Sequence, residues 1–247
     1  MFKHRGKQRT PLHNRKIAFL LSFVAGMVNV TGFFAIGHLT TNVTGHFAFF
    51  ADEVSQKNYS YALVYLLFIL SFLCGAFLSS LYTEAVSKKH PRFRYSIPVG
   101  LEIAVLTIVA QLSIVTVHHY PIEIGCALLF AMGMQNALVT NISKSVVRTT
   151  HLTGLFTDLG IELSQLIYFK EPRQQRRLIT SIKLRVIIII SFFIGGLIGG
   201  LGYPNYGLQT LLLASLFLVI GLFYDVLKFQ LLTFNRRYIR RRTSSNN

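Results

Sequence analysis

Charge is scarce in this chain. Of its 247 residues 14% are charged and 52% hydrophobic, a balance that excludes an ordinary water-soluble domain of this length. Acidic residues are scarcer still, nine against 25 lysines and arginines. The two cysteines, Cys74 and Cys126, fall in separate predicted helices without CxxC spacing. That excludes a zinc motif and a disulfide framework, and leaves them as small packing residues. No HxxxH or HExxH spacing accompanies His38, His46 and His151, so no metal site and no cofactor is expected. A complete nucleophile and base arrangement is also missing, which makes a lipid-modifying enzyme the least supported reading.

What the chain does have is apolar runs long enough to cross a bilayer, which takes about 20 helical residues. Six are predicted: Ile17 to Gly37, Tyr61 to Tyr82, Ser96 to Val117, Ile122 to Thr140, Val186 to Tyr203 and Gly207 to Leu227. The first continues apolar to Ile36 without a small-residue cleavage site, so it reads as a span and not a signal peptide. The net charge of +16 would suggest nucleic acid in a soluble protein. Here 24 of the 25 basic residues lie before span one, between spans two and three, between spans four and five or at the start of five, and after span six, leaving Lys57 alone on the other side. The positive-inside rule then puts both tails in the cytoplasm, at the cell membrane, and excludes nucleic acid as the partner. The tail Arg236 to Arg242, with Tyr238 and Ile239 interleaved, is of a kind that binds RNA or a protein partner, but the favoured expectation is attraction to anionic headgroups.

The chain also repeats itself. Thr40 to Gln56 reads TTNVTGHFAFFADEVSQ and Thr149 to Gln165 reads TTHLTGLFTDLGIELSQ, with eight of 17 positions identical and no gap. Upstream, Gly26-Met27-x-Asn29 answers Gly133-Met134-x-Asn136. Downstream, Gly75-Ala76-x-x-Ser79-Ser80 answers Gly195-Gly196-x-x-Gly199-Gly200, small residues that let helices approach closely. Each unit contains three crossings, an odd number, so the second copy enters from the opposite side. The expected architecture is all-α: a basic tail 1–16, a first three-helix repeat 17–117, a second, inverted repeat 118–228 and a basic tail 229–247. Inverted repeats are a recurrent plan of transporters, with the site at their interface near the midplane.

After each Thr-Gly pair comes a stretch with helical spacing, for which Thr44 and Thr153 are suitable N-caps and Gly45 and Gly154 permit close backbone approach. If both short helices fold back into the membrane, their N-termini present hydrogen-bond donors to an anion or polar solute, and Arg148 strengthens the anion case. As interfacial loops they would simply cap amphipathic helices. The candidate binding residues are Thr40, Thr41, Thr44, Gly45, Arg148, Thr149, Thr150, Thr153 and Gly154 of the motifs, and Asn29, Glu102, Gln135 and Asn136 within spans. Asn29 and Asn136 hold equivalent positions that a pseudo-twofold axis can bring together, or serve interhelical hydrogen bonds. Glu102 is an intramembrane carboxylate, costly unless paired, solvated or protonated. Asp158 shares a helical face with Glu162, suited to proton transfer or to salt bridges with Arg148 or Arg173. The sequons at Asn42, Asn58 and Asn141 are formal glycosylation matches only.

Helix-one Gly26-x-x-Asn29, the pair TTNVTG and TTHLTG, and Gly133-Met134-Gln135-Asn136 leading to Val147-Arg148-Thr149-Thr150 resemble the YoaK family of multi-pass membrane proteins. Its members carry a similar G-(L/M)-Q-N and (V)-R-T-T-x-(V/L)-T-G signature, and the resemblance runs from about Arg15 to about Lys228. Relatives often have an aspartate where this chain has Asn29, so a charge-dependent role does not carry over to that position. The family is defined by sequence, and the resemblance implies the fold while leaving the substrate open.

Taken together, these features favour a small secondary transporter or channel for a small polar or anionic solute, with its site between the two TTxxTG segments. The alternative is a scaffold or regulatory subunit docking a protein partner through its basic segments. The bilayer is the expected surrounding, and a bundle this small is compatible with a homo-oligomer.

Overall fold

A computed structural model describes residues 11–89, 95–143 and 147–224, and among these there are helices and no strands. The basic blocks at 1–10, 92–94 and 228–242, and Lys144, lie outside the described residues, as do the Lys88 and Lys89 side chains. The helices are α1 (Pro11–Ile36), α2 (Val43–Ser55), α3 (Tyr59–Lys89), α4 (Ser96–Ala110), α5 (Ile114–His119), α6 (Pro121–Ser143), α7 (Leu152–Tyr168) and α8 (Pro172–Tyr206). A 3₁₀ turn at Gly207–Thr210 leads into α9, residues 211–224.

Four helical segments are long and apolar enough to cross a membrane: Asn14–Ile36, Tyr59–Val86, Pro121–Ser143 and Pro172–Tyr224. The last contains two predicted spans, separated where Gly207 takes φ +54°, a left-handed conformation that suits glycine. The predicted span Ser96 to Val117 is not one helix. It stops at Ala110, and the Ser113 hydroxyl accepts from Thr116 N at 3.2 Å to start α5; a serine that caps a new helix competes with continuation of the old one. By itself α4 is about 22 Å long, short of the roughly 30 Å hydrocarbon core.

The four segments differ in burial. In their most apolar windows α1 is 72% buried and α6 61%, but α3 and the α8–α9 segment are each 28% buried. So α1 and α6 form the centre, and α3 and α8 flank them with Leu63, Leu70, Leu73, Phe77, Phe193 and Leu201 facing outward. In water such a surface would be an aggregation liability; in lipid it is the solvated face.

Contact between centre and flank crosses from one sequence copy to the other. In the first copy α1 packs on α8 of the second, and α6 of the second packs on α3 of the first. Four glycines explain the choice. A Cβ at Gly26 would overlap the Phe192 carbonyl oxygen, and at Gly195 the Phe23 carbonyl; a Cβ at Gly133 would overlap the Phe72 carbonyl, and at Gly75 the Phe130 carbonyl. Each conserved repeat pair thus makes the same backbone-on-backbone approach twice, an approach only glycine allows.

Gly133→Ala and Gly195→Ala are expected to lower stability by about 3 kcal/mol or more, since the obstructing atom is backbone and cannot swing aside. Gly100 has open space around its Cβ position, so Gly100→Ala is expected to be neutral or to stabilise by up to about 1 kcal/mol. Thermal unfolding of the detergent-solubilised protein separates these outcomes.

Candidate functional site

Both TTxxTG segments fold back alongside the helix that precedes them. Gly37, at φ +72°, donates its N–H to the Phe33 carbonyl at 2.8 Å and reverses the chain after α1. The Thr40 hydroxyl then donates to the Val28 carbonyl at 3.1 Å, and Thr41 Oγ1 donates to Asn29 Oδ1 at 2.8 Å. Val28 lies about two turns, roughly 12 Å, before the end of α1. In the second copy Thr150 Oγ1 donates to Asn136 Oδ1 at 3.0 Å, and Thr149 Oγ1 reaches the same oxygen at 3.2 Å. Asn136 also lies about two turns before the end of its helix. No hydrogen bond joins Asn29 to Asn136 among the described residues; each amide serves the threonines of its own copy.

The short helices begin two residues earlier than their threonines suggest. Asn42 is the N-cap of α2, its Oδ1 accepting from Gly45 N at 3.1 Å, and His151 holds the N-cap position of α7 without a side-chain cap bond. Thr44 and Thr153 therefore sit inside the first turn, both exposed, and do not cap. Asparagine is as strong a cap as threonine or stronger, which decides the competition at Asn42.

Behind the second motif the polar contacts continue inward. Gln135 Nε2 donates to Glu102 Oε1 at 2.8 Å, and Gln135 Oε1 lies 3.5 Å from Thr149 Oγ1. Glu102, Gln135 and Thr149 are all fully buried. Glu102 Oε2 and Asn136 Nδ2 have no hydrogen-bond partner among the described residues, the cost of which is tolerated where a ligand or water completes the set.

In front of it is a polar cleft of about 500 Å³ lined by residues that include Arg148, His151, Gly154, Asp158, Ser181 and Arg185. Arg185 holds one wall: its Nη1 lies 3.0 Å from Asp158 Oδ2, and its Nε and Nη2 donate to Glu162 Oε2 and Oε1 at 2.8 and 2.9 Å. Ser181 Oγ donates to Glu162 Oε1 at 2.6 Å. The carboxylates of α7 therefore pair with Arg185 of α8, and among the described residues not with Arg148 or Arg173. Arg148 is exposed at the cleft and makes no ion pair among the described residues.

The first copy fills the same place. By the register of the repeat, Leu155, Asp158, Arg185 and Ile188 correspond to His46, Phe49, Tyr65 and Phe68. Those four form a ring cluster: Phe49 stacks on Tyr65 at 5.2 Å, and His46 lies 5.1 Å from Phe68 and 6.0 Å from Tyr65. His46 Nε2 bonds the Leu39 carbonyl at 2.7 Å. One copy is thus packed with aromatics where the other is open and charged.

A family model described as "Protein of unknown function (DUF1275)" matches residues 17–224. The chain belongs to the DUF1275 family. It is 25% identical over 189 residues to the UPF0700 transmembrane protein YoaK of Bacillus subtilis (strain 168), covering 76% of this chain and 83% of that protein. No solved structure matches. The YoaK resemblance read from the motifs is therefore borne out, and this DUF1275 member is a transmembrane protein.

Of the DUF1275 candidates read from sequence, the fold gathers Glu102, Gln135, Asn136, Thr149 and Thr150 into one network, and Arg148, Gly154 and Asp158 into the adjoining cleft. Thr40, Thr41 and Asn29 form a separate, smaller set with Gly45 near Asn42. Arg185 and Ser181 were not singled out; the signal for Arg185 was a cation at the polar edge of an apolar span, indistinguishable by sequence from a positive-inside marker.

Burial alone would raise the Glu162 carboxyl, but the hydrogen bonds from Arg185 and Ser181 outweigh it and hold it below its usual value. A carboxyl with a lowered folded value contributes stability above the unfolded value of about 4.3, and loses it as pH falls through the folded one. Glu162→Gln is expected to lower the thermal midpoint by a few degrees at neutral pH, and the gap from the parent should close as the pH approaches about 3. An unchanged midpoint at neutral pH would mean the Arg185 pair contributes nothing.

Proposed function

We propose that this protein is a small secondary transporter or channel for a small polar or anionic solute and not an enzyme, admitting it at the Arg148 cleft toward the buried network behind. The observation that carries this reading is the adjacency of Arg148, without an ion pair among the described residues and in an open cleft, to buried Glu102 and partly buried Asn136, both incompletely bonded among those residues. A carboxyl oxygen and an amide nitrogen left short of partners among the described residues suit transient binding better than structural bonding. The fold-back of both motifs supports re-entrant half-helices, the plan on which many transporters build a site. The packed aromatic cluster of the first copy supports a path whose two ends are unlike.

The same reading takes the chain as six crossings in two inverted halves, with α4 and α5 together making the third and both tails cytoplasmic at the cell membrane. The exchanged packing of α1, α3, α6 and α8 and the basic loops support it, and a homo-oligomer is compatible with the outward apolar faces of α3 and α8. In a variant lacking both cysteines, single cysteines at Lys57 and His119 are expected to react with an impermeant maleimide from outside the cell, and one at Arg173 only after permeabilisation. Reaction of His119→Cys on the same side as Arg173→Cys would sink the inverted arrangement.

For the solute path, proteoliposome uptake over a panel of small anions and polar neutral solutes is the direct assay. Arg148→Ala and Asn136→Ala are expected to reduce uptake about tenfold or more, the loss of about 1.4 kcal/mol of binding, while Asn29→Ala has a smaller effect. No uptake of any solute by the parent protein would overturn the transport reading.

A further inference from the structure

The polar cleft has an apolar neighbour along α8. Where its lining stops on α8, at Ile188, an apolar groove of about 640 Å³ begins at Ile189 and follows α8 to Leu201, walled by Val30 and Phe34 of α1 and Leu152 and Phe156 of α7. Gly196 and Gly200 lie along it, and its length along α8 is about 18 Å. That is close to the depth of one leaflet, half of a roughly 30 Å core.

The order of the two compartments is informative. The polar one lies toward the N-terminal end of α8, which carries Arg173, Arg176, Arg177 and Lys183, so it faces the interfacial end of the helix. The apolar one lies deeper along the same helix. Arg148 stands at the polar end without an ion pair among the described residues, while Arg185 is already occupied by Asp158 and Glu162. A cationic mouth above an apolar channel of leaflet depth complements an anionic headgroup carrying an acyl chain, the pattern by which basic pockets between helices hold acidic lipids.

We infer that the cleft and groove together bind one anionic phospholipid, its headgroup at Arg148 and one acyl chain along α8 between α1 and α7. This rests on the reading of the cleft as an anion site and goes further in giving the anion a hydrocarbon chain.

The chain contains no tryptophan, so a single Leu197→Trp in the groove reports without background. The full-length variant, reconstituted in bilayers of brominated phosphatidylglycerol or brominated phosphatidylcholine diluted in unbrominated lipid, is read by fluorescence quenching. Leu197→Trp is expected to be half-quenched at about fivefold lower mole fraction of the anionic lipid than of the zwitterionic one. A control Leu73→Trp on the outward face of α3 is expected to show no preference. Adding Arg148→Ala to Leu197→Trp should abolish the preference, and Arg148→Lys should keep it. Equal quenching of Leu197→Trp by both lipids overturns the inference, as does a preference that survives Arg148→Ala. Equal quenching combined with solute uptake that depends on Arg148 would assign the cleft to a water-borne anion and leave the transport reading standing.

Discussion

The fold depends on four places where one helix backbone lies directly against another. In lipid no hydrophobic gain separates a helix from hydrocarbon tails, so helices associate through close packing and interhelical hydrogen bonds. Gly26, Gly75, Gly133 and Gly195 supply the packing: each sits against a carbonyl of its partner helix, in a space that even one methyl group would fill. Because the contacts are reciprocal, α1 with α8 and α6 with α3, neither sequence copy is a closed unit. Each donates its first helix to the centre and its long second helix to cover the first helix of the other copy.

Once α1 and α6 are fixed in this way, they present their last two turns as docking rails for the threonine segments. Asn29 and Asn136 are the fixed points. A partly buried amide oxygen in an apolar surround needs a donor, and a threonine segment brought back along the helix provides it in both copies. This is a simple reason for a motif of two adjacent threonines: it holds a loop in place about two turns back along a helix, and it starts α2 and α7 alongside α1 and α6. The carboxyl of Glu102 enters the same arrangement only in the second copy, through Gln135.

The two copies share a frame and differ in what fills it. Rings close the first copy around His46, and charges hold open the second around Arg185. The difference comes from a few positions, Phe49 against Asp158 and Tyr65 against Arg185, set on matching turns of matching helices. The scaffold is therefore symmetric where packing decides it and asymmetric at the polar cleft of the second copy.

Much of this was legible in the residues. Helical crossing segments follow from runs of apolar side chains whose burial in lipid needs every backbone group bonded within the helix. The glycine pairs and the TTxxTG repeat are local patterns, visible without coordinates, and they pointed to the family and to Asn29, Asn136 and the threonines, which the fold joins by hydrogen bonds. The break after Ala110 was hidden because Gln111 to Ser113 interrupts the apolar run too briefly to register, although Ser113 can cap. The choice of Asn42 over Thr44 as cap was a competition between residues two positions apart, both of them capping types. What tertiary structure alone decided was partnership: that α1 pairs with the other copy's α8, that Arg185 and not Arg148 takes the carboxylates, and that Glu102 meets Thr149 through Gln135. These are contacts between residues distant in sequence, fixed by how closely helices approach, and no spacing along one chain segment encodes which neighbour a side chain will find.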